Sequence, residues 1–202
     1  MKKFTSFILL LLFLQTAVAQ KSNTFNNAIS TYQKNYIASH EVVKGNDRRF
    51  FRFFTSNKNY VVKCSFERST DTAVVIMQTS GKTIPQKDFT RYGKIKFTVH
   101  DTALQLTVYQ SKSLQLKPQY KNSLFIPFTD ITTGDETYGS GRYIDILTTD
   151  IINNIVEIDF NKAYNPYCAY TIGYNCPIPP RENYLPVAIK AGEKTFAKPS
   201  GH

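Results

Sequence analysis

The sequence predicts a mainly β protein: an antiparallel sheet curled as a barrel or folded as a sandwich, with one N-terminal helix. Short segments with an apolar–polar period of two, joined by short polar turns, recur from residue 49 onwards. Aromatic residues make up 14% of the chain, with Tyr and Phe but no Trp, and both of these residue types favour strands. One stretch near the N-terminus instead shows the period of an amphipathic helix.

The N-terminus has the features of an export signal. Lys2 and Lys3 precede an apolar run over residues 7–14, and Ala17-Val18-Ala19 has the small-x-small pattern that signal peptidase accepts. The run is shorter than the ~20 residues that span a bilayer, so we expect no transmembrane segment. The prediction is an exported protein, periplasmic or secreted, with a signal peptide over residues 1–19.

Residues 20–202 are predicted to form a single β-rich domain with a helix near residues 22–38. The apolar side chains of this helix recur at spacings of three and four, at Phe25, Ile29, Tyr32 and Tyr36. We expect the face they share to pack on the sheet. The chain is long enough for one proper core, and no repeat or linker indicates a second domain.

The alternating segments after the helix predict a series of antiparallel strands. Residues 50–54 and 60–68 are predicted to form one hairpin, and residues 95–100 and 103–110 another. Residues 89–93 are interpreted as a connection with aromatic anchors. The other predicted strands are residues 73–79, 124–128, 143–147, 155–160 and 184–189.

Three cysteines in an exported protein predict one disulfide and one unpaired thiol. Cys168 and Cys176 lie in a proline-rich loop and are the predicted pair, whereas Cys64 lies within a predicted strand as a small buried apolar residue. A zinc site is the alternative, but the Cys-x7-Cys spacing matches no compact zinc motif. No metal is therefore expected.

Charge and motifs exclude several classes of function. The formal net charge is +10, but the basic residues are scattered, which predicts a solvated surface and no nucleic-acid partner. The chain lacks a Gly-x-Ser-x-Gly elbow, a phosphate-binding loop, a His-Glu-x-x-His motif and a dinucleotide-binding fingerprint, so no cofactor is expected. A carboxylate pair for hydrolysis remains possible. The candidate acids are Asp130, Asp135, Glu136, Asp145, Asp159 and Glu193.

A glycine-rich turn is the first candidate for a binding site. Gly139 and Gly141 lie just ahead of Arg142, so backbone N–H groups could face an anion while the guanidinium binds a phosphate or carboxylate. The alternative is a structural turn in which the glycines supply positive φ. In that case Arg142 pairs with a nearby acid, namely Asp145, Asp159 or Glu136.

The irregular stretch over residues 159–180 is the second candidate. Asp159, Asn161 and Asn165 carry acceptors and amide donors beside a rigid framework of prolines and cysteines, and such loops often carry function. Pro166 restricts Asn165 to an extended or turn conformation. The alternative is that these side chains only fix the shape of an irregular loop.

Four motifs carry a family resemblance: TYGSGRYID at residues 137–145, DFNKAYNPYCAY at 159–170, CPIPPREN at 176–183 and AGEK at 191–194. The chain resembles the bacterial family catalogued as "domain of unknown function 1684". The resemblance implies a mostly β domain whose activity is unassigned.

Taken together, the two candidate stretches predict a β-rich module that binds a small polar or anionic ligand. The predicted ligand-binding residues are Arg142, Gly139, Gly141, Tyr143, Asp159, Asn161 and Asn165. One alternative is a hydrolase that uses Asp159 or Asp145 as a general base together with Arg142. A further alternative is an interaction or scaffolding protein.

Overall fold

A computed structural model describes residues 23–80 and 87–199. It contains helix α1 over residues 23–39, and strands β1 to β8 in chain order. The strands are Val61–Arg68, Val74–Met77, Lys87–Val99, Thr102–Ser111, Ser123–Asp130, Arg142–Leu147, Ile155–Asp159 and Tyr184–Leu185. The predicted signal peptide lies outside the described residues. Within these residues, no helix is both long and apolar enough to cross a membrane.

The strands form one sheet that curls into a half-barrel. Six antiparallel strands follow the order β6-β5-β4-β3-β1-β7, while β2 pairs with β3 and β8 pairs in parallel with β5. The mainly antiparallel fold with one N-terminal helix is therefore confirmed. The predicted hairpin of β3 and β4 is present, with Val99 opposite Thr102 around a turn at His100 and Asp101, both at positive φ.

Alternation along the strands builds the core inside the curled sheet. Val62, Cys64 and Phe66 of β1 are buried, whereas the residues between them face solvent. Cys64 is fully buried and unpaired, as predicted. The same alternation in the neighbouring strands supplies the large apolar side chains Ile95, Leu106, Leu124, Ile126 and Ile158.

The segment over residues 50–54 is not a strand, and the predicted hairpin with β1 is wrong. Gly45–Phe50 forms a 3-10 helix, and Phe53 makes only an isolated bridge with Glu193. β1 pairs with β3 and β7 instead. Within this run Phe51 is buried and the other aromatic side chains are half-buried, through ring contacts rather than a strand ladder: the ring of Phe51 lies 5.3 Å from that of Phe196.

Two further boundaries differ from the prediction. Residues 89–93 are part of β3 rather than a connection, and a bulge between Arg91 and Gly93 breaks their alternation. At the other end of the chain, only Tyr184–Leu185 forms a strand, and it is parallel to β5. The rest of residues 184–189 forms no ladder: its carbonyls accept single hydrogen bonds, that of Val187 from the N–H of Ile131 and that of Ile189 from Arg142.

The aromatic face of α1 packs on irregular segments that cover one end of the sheet, rather than on the strands. The ring of Tyr36 lies 5.8 Å from Phe51 and 6.4 Å from Tyr164. The hydroxyl of Tyr32 donates a hydrogen bond to the carbonyl of Lys162 at 3.3 Å. The helix was expected on the sheet, but long irregular segments lie between them.

A buried asparagine connects β4 and β5 where backbone hydrogen bonds between the two strands are missing. The two strands pair at Tyr109 and Phe125, but Pro127 of β5 has no N–H to donate. Asn183, fully buried, accepts from the N–H of Thr107 at 2.8 Å and donates to the carbonyls of Thr107 at 2.9 Å and Pro127 at 2.7 Å. One side chain thus replaces the missing ladder bonds.

We expect Asn183→Ala to lower the free energy of unfolding by roughly 2–5 kcal/mol, because three buried backbone groups lose their partner. The exposed Asn46 is the matched control, and Asn46→Ala should change stability by no more than about 0.5 kcal/mol. Urea unfolding followed by circular dichroism measures both. Equal effects of the two substitutions would show that Asn183 does not join the strands.

Candidate functional site

Arg142 lies inside the protein, in an ion pair with Asp130. Both side chains are buried, and Nη2 of Arg142 lies 2.7 Å from Oδ2 of Asp130. The same guanidinium donates to the carbonyls of Ile189, Ala191 and Glu193. Burial lowers the pKa of Arg142, and the carboxylate of Asp130 opposes that shift, so the guanidinium stays charged.

The partner of Arg142 is therefore Asp130, and none of the three acids that the sequence suggested. Asp130 is the last residue of β5 and Arg142 the first of β6, so the pair closes the end of this hairpin. The three carbonyls belong to an irregular segment that has no ladder of its own. The guanidinium thus holds the backbone of residues 189–193 in place by hydrogen bonds.

The glycine turn ahead of Arg142 is held by an internal hydrogen bond. The N–H of Gly141 donates to the carbonyl of Tyr138 at 3.0 Å. Gly141 has φ +86°, and a Cβ there would lie 2.6 Å from the carbonyl oxygen of Phe128, so glycine is required. Gly139 is exposed and has no such constraint. A role of these glycines in ligand binding remains a prediction.

Asp159 and Asn161 fix the loop that follows β7. Oδ1 of Asp159 accepts from the N–H of Asn161 at 3.0 Å, which caps the 3-10 helix Phe160–Lys162. The side-chain amide of Asn161 is buried and bonds both backbone groups of Asn57, at 2.9 and 3.0 Å. These contacts match the structural alternative, and the predicted binding role of both residues stays a prediction.

Asn165 contacts a buried carboxylate. Its N–H donates to Oε2 of Glu193 at 3.0 Å, and the hydroxyls of Tyr36 and Tyr170 donate to the same carboxylate at 3.1 and 2.8 Å. Glu193 is completely buried, and this desolvation raises its pKa to about 7 although the hydrogen bonds oppose the shift. The carboxylate joins α1, the loop after β7 and the C-terminal segment.

His40 completes this buried cluster. Its ring centroid lies 4.6 Å from that of Tyr170 and 5.0 Å from that of Phe51. Nδ1 accepts from the N–H of Val43 at 2.9 Å, whereas Nε2 is buried without a partner among the described residues. Burial, helped by the nearby cation of Lys44, lowers the pKa of His40 to about 4, so the ring is neutral at pH 7.

The predicted disulfide between Cys168 and Cys176 is present. The loop it closes is also held from outside, because the N–H of Ser80 donates to the carbonyl of Cys176 at 3.0 Å. The N–H of Ile178 donates to the carbonyl of Gln78 at 2.8 Å. The loop is therefore fixed against the chain after β2.

The two candidate stretches do meet, at Tyr143 and Tyr164 rather than at Arg142 and Asp159. Tyr143 and Tyr164 exchange backbone hydrogen bonds of 2.9 and 3.0 Å, which adds the loop after β7 to the edge of β6. Two residues further along β6, Oδ2 of Asp145 accepts from the hydroxyl of Tyr164 at 2.6 Å. One predicted catalytic candidate, Asp145, and one predicted binding residue, Tyr143, thus share a site.

Sheet register explains the row of side chains beside Asp145. Tyr109 of β4 lies opposite Phe125 of β5, and Phe125 lies opposite Asp145 of β6. Directly opposed residues project from the same face of a sheet. This is the outer face, where Phe89 stacks on Phe125 with ring centroids 5.5 Å apart.

These residues line a cleft of about 620 Å³ between the sheet and the disulfide loop. Its walls are mainly aromatic: Phe89, Phe125, Tyr143, Tyr164, Tyr167, Tyr174 and Tyr120. Its polar groups include Asp145, Lys117, Asn175, Ser111, Ser113 and Ser123. A larger groove of about 830 Å³ over β1, β3 and β4 is shallow and open, with exposed side chains such as Lys63 and Gln105.

Asp145 is the polar centre of this cleft. Asp145 is exposed to solvent in the cleft, and partial desolvation by the cleft walls raises the pKa of its carboxylate. The hydrogen bond from Tyr164 opposes this shift. A carboxylate with a raised pKa in an accessible cleft is a group suited to binding or proton transfer.

Sequence reasoning missed the aromatic walls of the cleft. The sequence of β5 does contain an indication of a second covered face: the consecutive residues Leu124 and Phe125, which project from opposite faces of the strand, are both apolar. That pattern indicates a strand covered on both faces. The described residues contain no group of three or more His, Cys, Asp and Glu side chains placed to hold a metal ion.

The comparisons with known proteins agree with the fold. The sequence model of the family "Protein of unknown function (DUF1684)" matches residues 49–194. The solution NMR structure of an uncharacterized protein of Haloarcula marismortui superimposes with a TM-score of 0.63 at 21% identity, covering 87% of this chain and 97% of that chain. No curated protein matches the sequence. The likeness to the archaeal structure concerns the fold.

We expect Arg142→Met to lower the free energy of unfolding by about 3–5 kcal/mol, because it leaves Asp130 buried and unpaired. Adding Asp130→Asn should restore part of this loss, since the buried charge is then removed. Urea unfolding measures the effect, with Arg181→Met at an exposed position as the control. A loss no greater than that of the control would show that the ion pair does not hold the C-terminal segment.

Glu193 predicts a specific dependence of stability on pH. The folded protein binds one more proton than the unfolded chain between the ordinary pKa of 4.5 and the folded value of about 7. The unfolding free energy should therefore fall as pH rises through this window, by roughly 3 kcal/mol in total. The lowered pKa of His40 contributes with the opposite sign between its folded pKa of about 4 and its ordinary 6.5.

The difference between the wild type and Glu193→Gln isolates this contribution, because His40 is present in both proteins. The variant should gain stability relative to the wild type as pH rises from 4.5 to above 7, as measured by urea unfolding across this range. The exposed Glu157 provides the control, and Glu157→Gln should follow the wild-type curve. A pH-independent difference for Glu193→Gln would contradict the raised pKa.

Proposed function

The chain belongs to the family described as "Protein of unknown function (DUF1684)", whose name assigns no activity, and we propose from the cleft geometry that it is a module binding a small polar ligand. The observation that carries this proposal is the Asp145 carboxylate in an accessible, aromatic-walled cleft. Pockets of this kind combine apolar walls with a few placed polar groups. The predicted export of the protein remains part of the proposal.

The polar groups of the cleft indicate which chemical group of a ligand would bind there. The hydroxyls of Tyr143, Tyr164 and Tyr167 already donate, to Pro177, Asp145 and Glu41 respectively. Oδ2 of Asp145 accepts from the hydroxyl of Tyr164, and a carboxylate has further lone pairs with which it can accept a hydrogen bond from a ligand. Asp145 therefore suits a hydrogen-bond donor, such as a hydroxyl or an ammonium group, although the lining also contains the cation of Lys117.

The aromatic walls define the rest of the ligand. Phe125 and Tyr143 lie edge to face with ring centroids 4.7 Å apart, and Tyr167 and Tyr174 are 5.1 Å apart. Ring faces of this kind favour an apolar ring or a cation over an anion, because the π face is negative. We therefore propose a neutral or cationic ring compound. The anionic alternative depended on Arg142, whose guanidinium is occupied by Asp130 and backbone carbonyls.

The same site supports a second candidate function, hydrolysis with Asp145 as the general base. A raised pKa brings the carboxylate of Asp145 closer to neutral pH, and a general base works best when its pKa lies near the working pH. Asp159 is less suited, because its Oδ1 caps a 3-10 helix. Catalytic turnover of a substrate by the wild-type protein would distinguish a hydrolase from a protein that only binds a ligand.

We expect tyramine to raise the melting temperature of the protein in a concentration-dependent way, because it joins a ring to a cationic donor. Its counterpart 4-hydroxyphenylacetate has the same ring but a carboxylate, and it should have no such effect. Asp145→Asn should abolish the shift by tyramine, and thermal unfolding with increasing ligand measures all three cases.

The matched control is Asp135→Asn, which removes an exposed carboxylate that does not line the cleft. This variant should respond to tyramine like the wild type. A shift that survives Asp145→Asn, or one that the anionic compound produces equally, would contradict the proposed site. Loss of ester or glycoside turnover in Asp145→Asn, if the wild type shows such turnover, would favour the hydrolase.

A further inference from the structure

Two loops contribute exposed side chains to the lining of the cleft. The loop over residues 112–122 joins β4 to β5 and contributes Leu114 and Tyr120 to the cleft. The disulfide loop over residues 168–176 contributes Tyr174. Leu114, Tyr120 and Tyr174 are exposed and line one cleft, so the exposed parts of the two loops adjoin there.

Both loops expose large apolar side chains at their ends. Ile172 is 96% exposed and Leu116 is 82% exposed, the two highest values among the exposed large apolar residues of the described chain. Leu114, Tyr120 and Tyr174 are also exposed, so the two loops hold five of the eleven such residues. Single exposed apolar residues are ordinary, but a group on one side of a protein marks an interaction surface.

These side chains are held outward by fixed loops. The disulfide closes residues 168–176, and the N–H of Gln115 donates to the carbonyl of Ser111 at 3.1 Å. The side-chain amide of Gln110 donates to the carbonyl of Lys121 at 3.1 Å, which fixes the far end of the first loop. Ordered loops that expose apolar ends lose little entropy when they bind.

The charged residues of the two loops indicate what kind of partner the loop ends contact. Lys112, Lys117 and Lys121 are exposed in the first loop, and none of them forms an ion pair with another described residue. Neither residues 111–123 nor residues 167–180 contain an acidic residue. The acids beside this region are Glu41, which accepts from the hydroxyl of Tyr167 at 2.9 Å, and Asp145 in the cleft.

We infer that this surface, formed by the ends of the two loops, docks on an anionic lipid bilayer. Leu116 and Ile172 enter the interfacial region, and the three lysines lie at the level of the lipid phosphates. Apolar insertion and basic attraction together give stable membrane association where either signal alone is weak. The mouth of the cleft then faces the bilayer. This inference is independent of the ligand proposed for the cleft.

The absence of Trp from the sequence allows a site-specific test on the full chain. Leu116→Trp and Ile172→Trp each place a single fluorophore at a loop end. With phosphatidylglycerol vesicles, we expect a blue shift of the emission in both variants, and quenching when the lipids carry brominated acyl chains. Because only the introduced Trp is observed, contact of the predicted signal peptide with lipid does not produce this signal.

Ile152→Trp is the matched control, since Ile152 is 66% exposed but lies outside both loops. Its emission should not change with the same vesicles. Unchanged emission of the two loop variants, or an equal change in the control, would overturn the inference. A blue shift that depends on protein concentration without vesicles would also overturn it, because a second copy would then cover the loop ends.

The lysines are tested in the Leu116→Trp background. Replacing Lys112, Lys117 and Lys121 by Gln should weaken partitioning onto phosphatidylglycerol vesicles by about fivefold per lysine. Replacing the exposed Lys58, Lys63 and Lys94 removes the same charge elsewhere and should have a much smaller effect. Equal losses in the two triple variants, or equal insertion into phosphatidylcholine vesicles, would contradict a basic docking surface.

Discussion

The irregular C-terminal segment is held in place by the buried guanidinium of Arg142, and the other irregular segments pack on it. The charge of the guanidinium is compensated by Asp130 within the hairpin of β5 and β6, and Nη1 and Nη2 also donate to the carbonyls of Ile189, Ala191 and Glu193. A segment without a ladder must satisfy its backbone in another way, and here the guanidinium binds three of its carbonyls while the backbone of Phe54 and Ala163 binds Gly192 and Glu193. Removing the guanidinium leaves both a charge and several carbonyls without partners.

A chain of polar contacts extends from this guanidinium to the candidate site. Holding residues 189–193 places Glu193, whose carboxylate binds Asn165, Tyr36 and Tyr170. These contacts position the loop after β7, which brings Tyr164 beside Asp145. The cleft is therefore built on groups that are themselves buried and fixed. Its rigidity suits binding with little loss of conformational entropy.

The sequence contained much of the fold and part of the candidate site. Alternation identified most strands and the β3–β4 hairpin, and cysteine spacing in a proline-rich loop identified the disulfide. It failed at residues 50–54, because a run of aromatic residues is compatible with a strand and with an irregular segment buried by ring stacking. In the structure the two candidate stretches meet at Tyr143 and Tyr164, a contact between distant segments that no local pattern indicates.

By itself, the sequence determined the fold class, the position of the helix and the pair of cysteines, because periodicity and spacing are local properties of the chain. Only the tertiary structure decided that Arg142 is buried against Asp130 and that Asp145 opens into a cleft. Both residues lie on β6, three positions apart, so they project from opposite faces of the sheet. Which face is covered by the core and which by an open cleft depends on distant segments, and no local pattern records it.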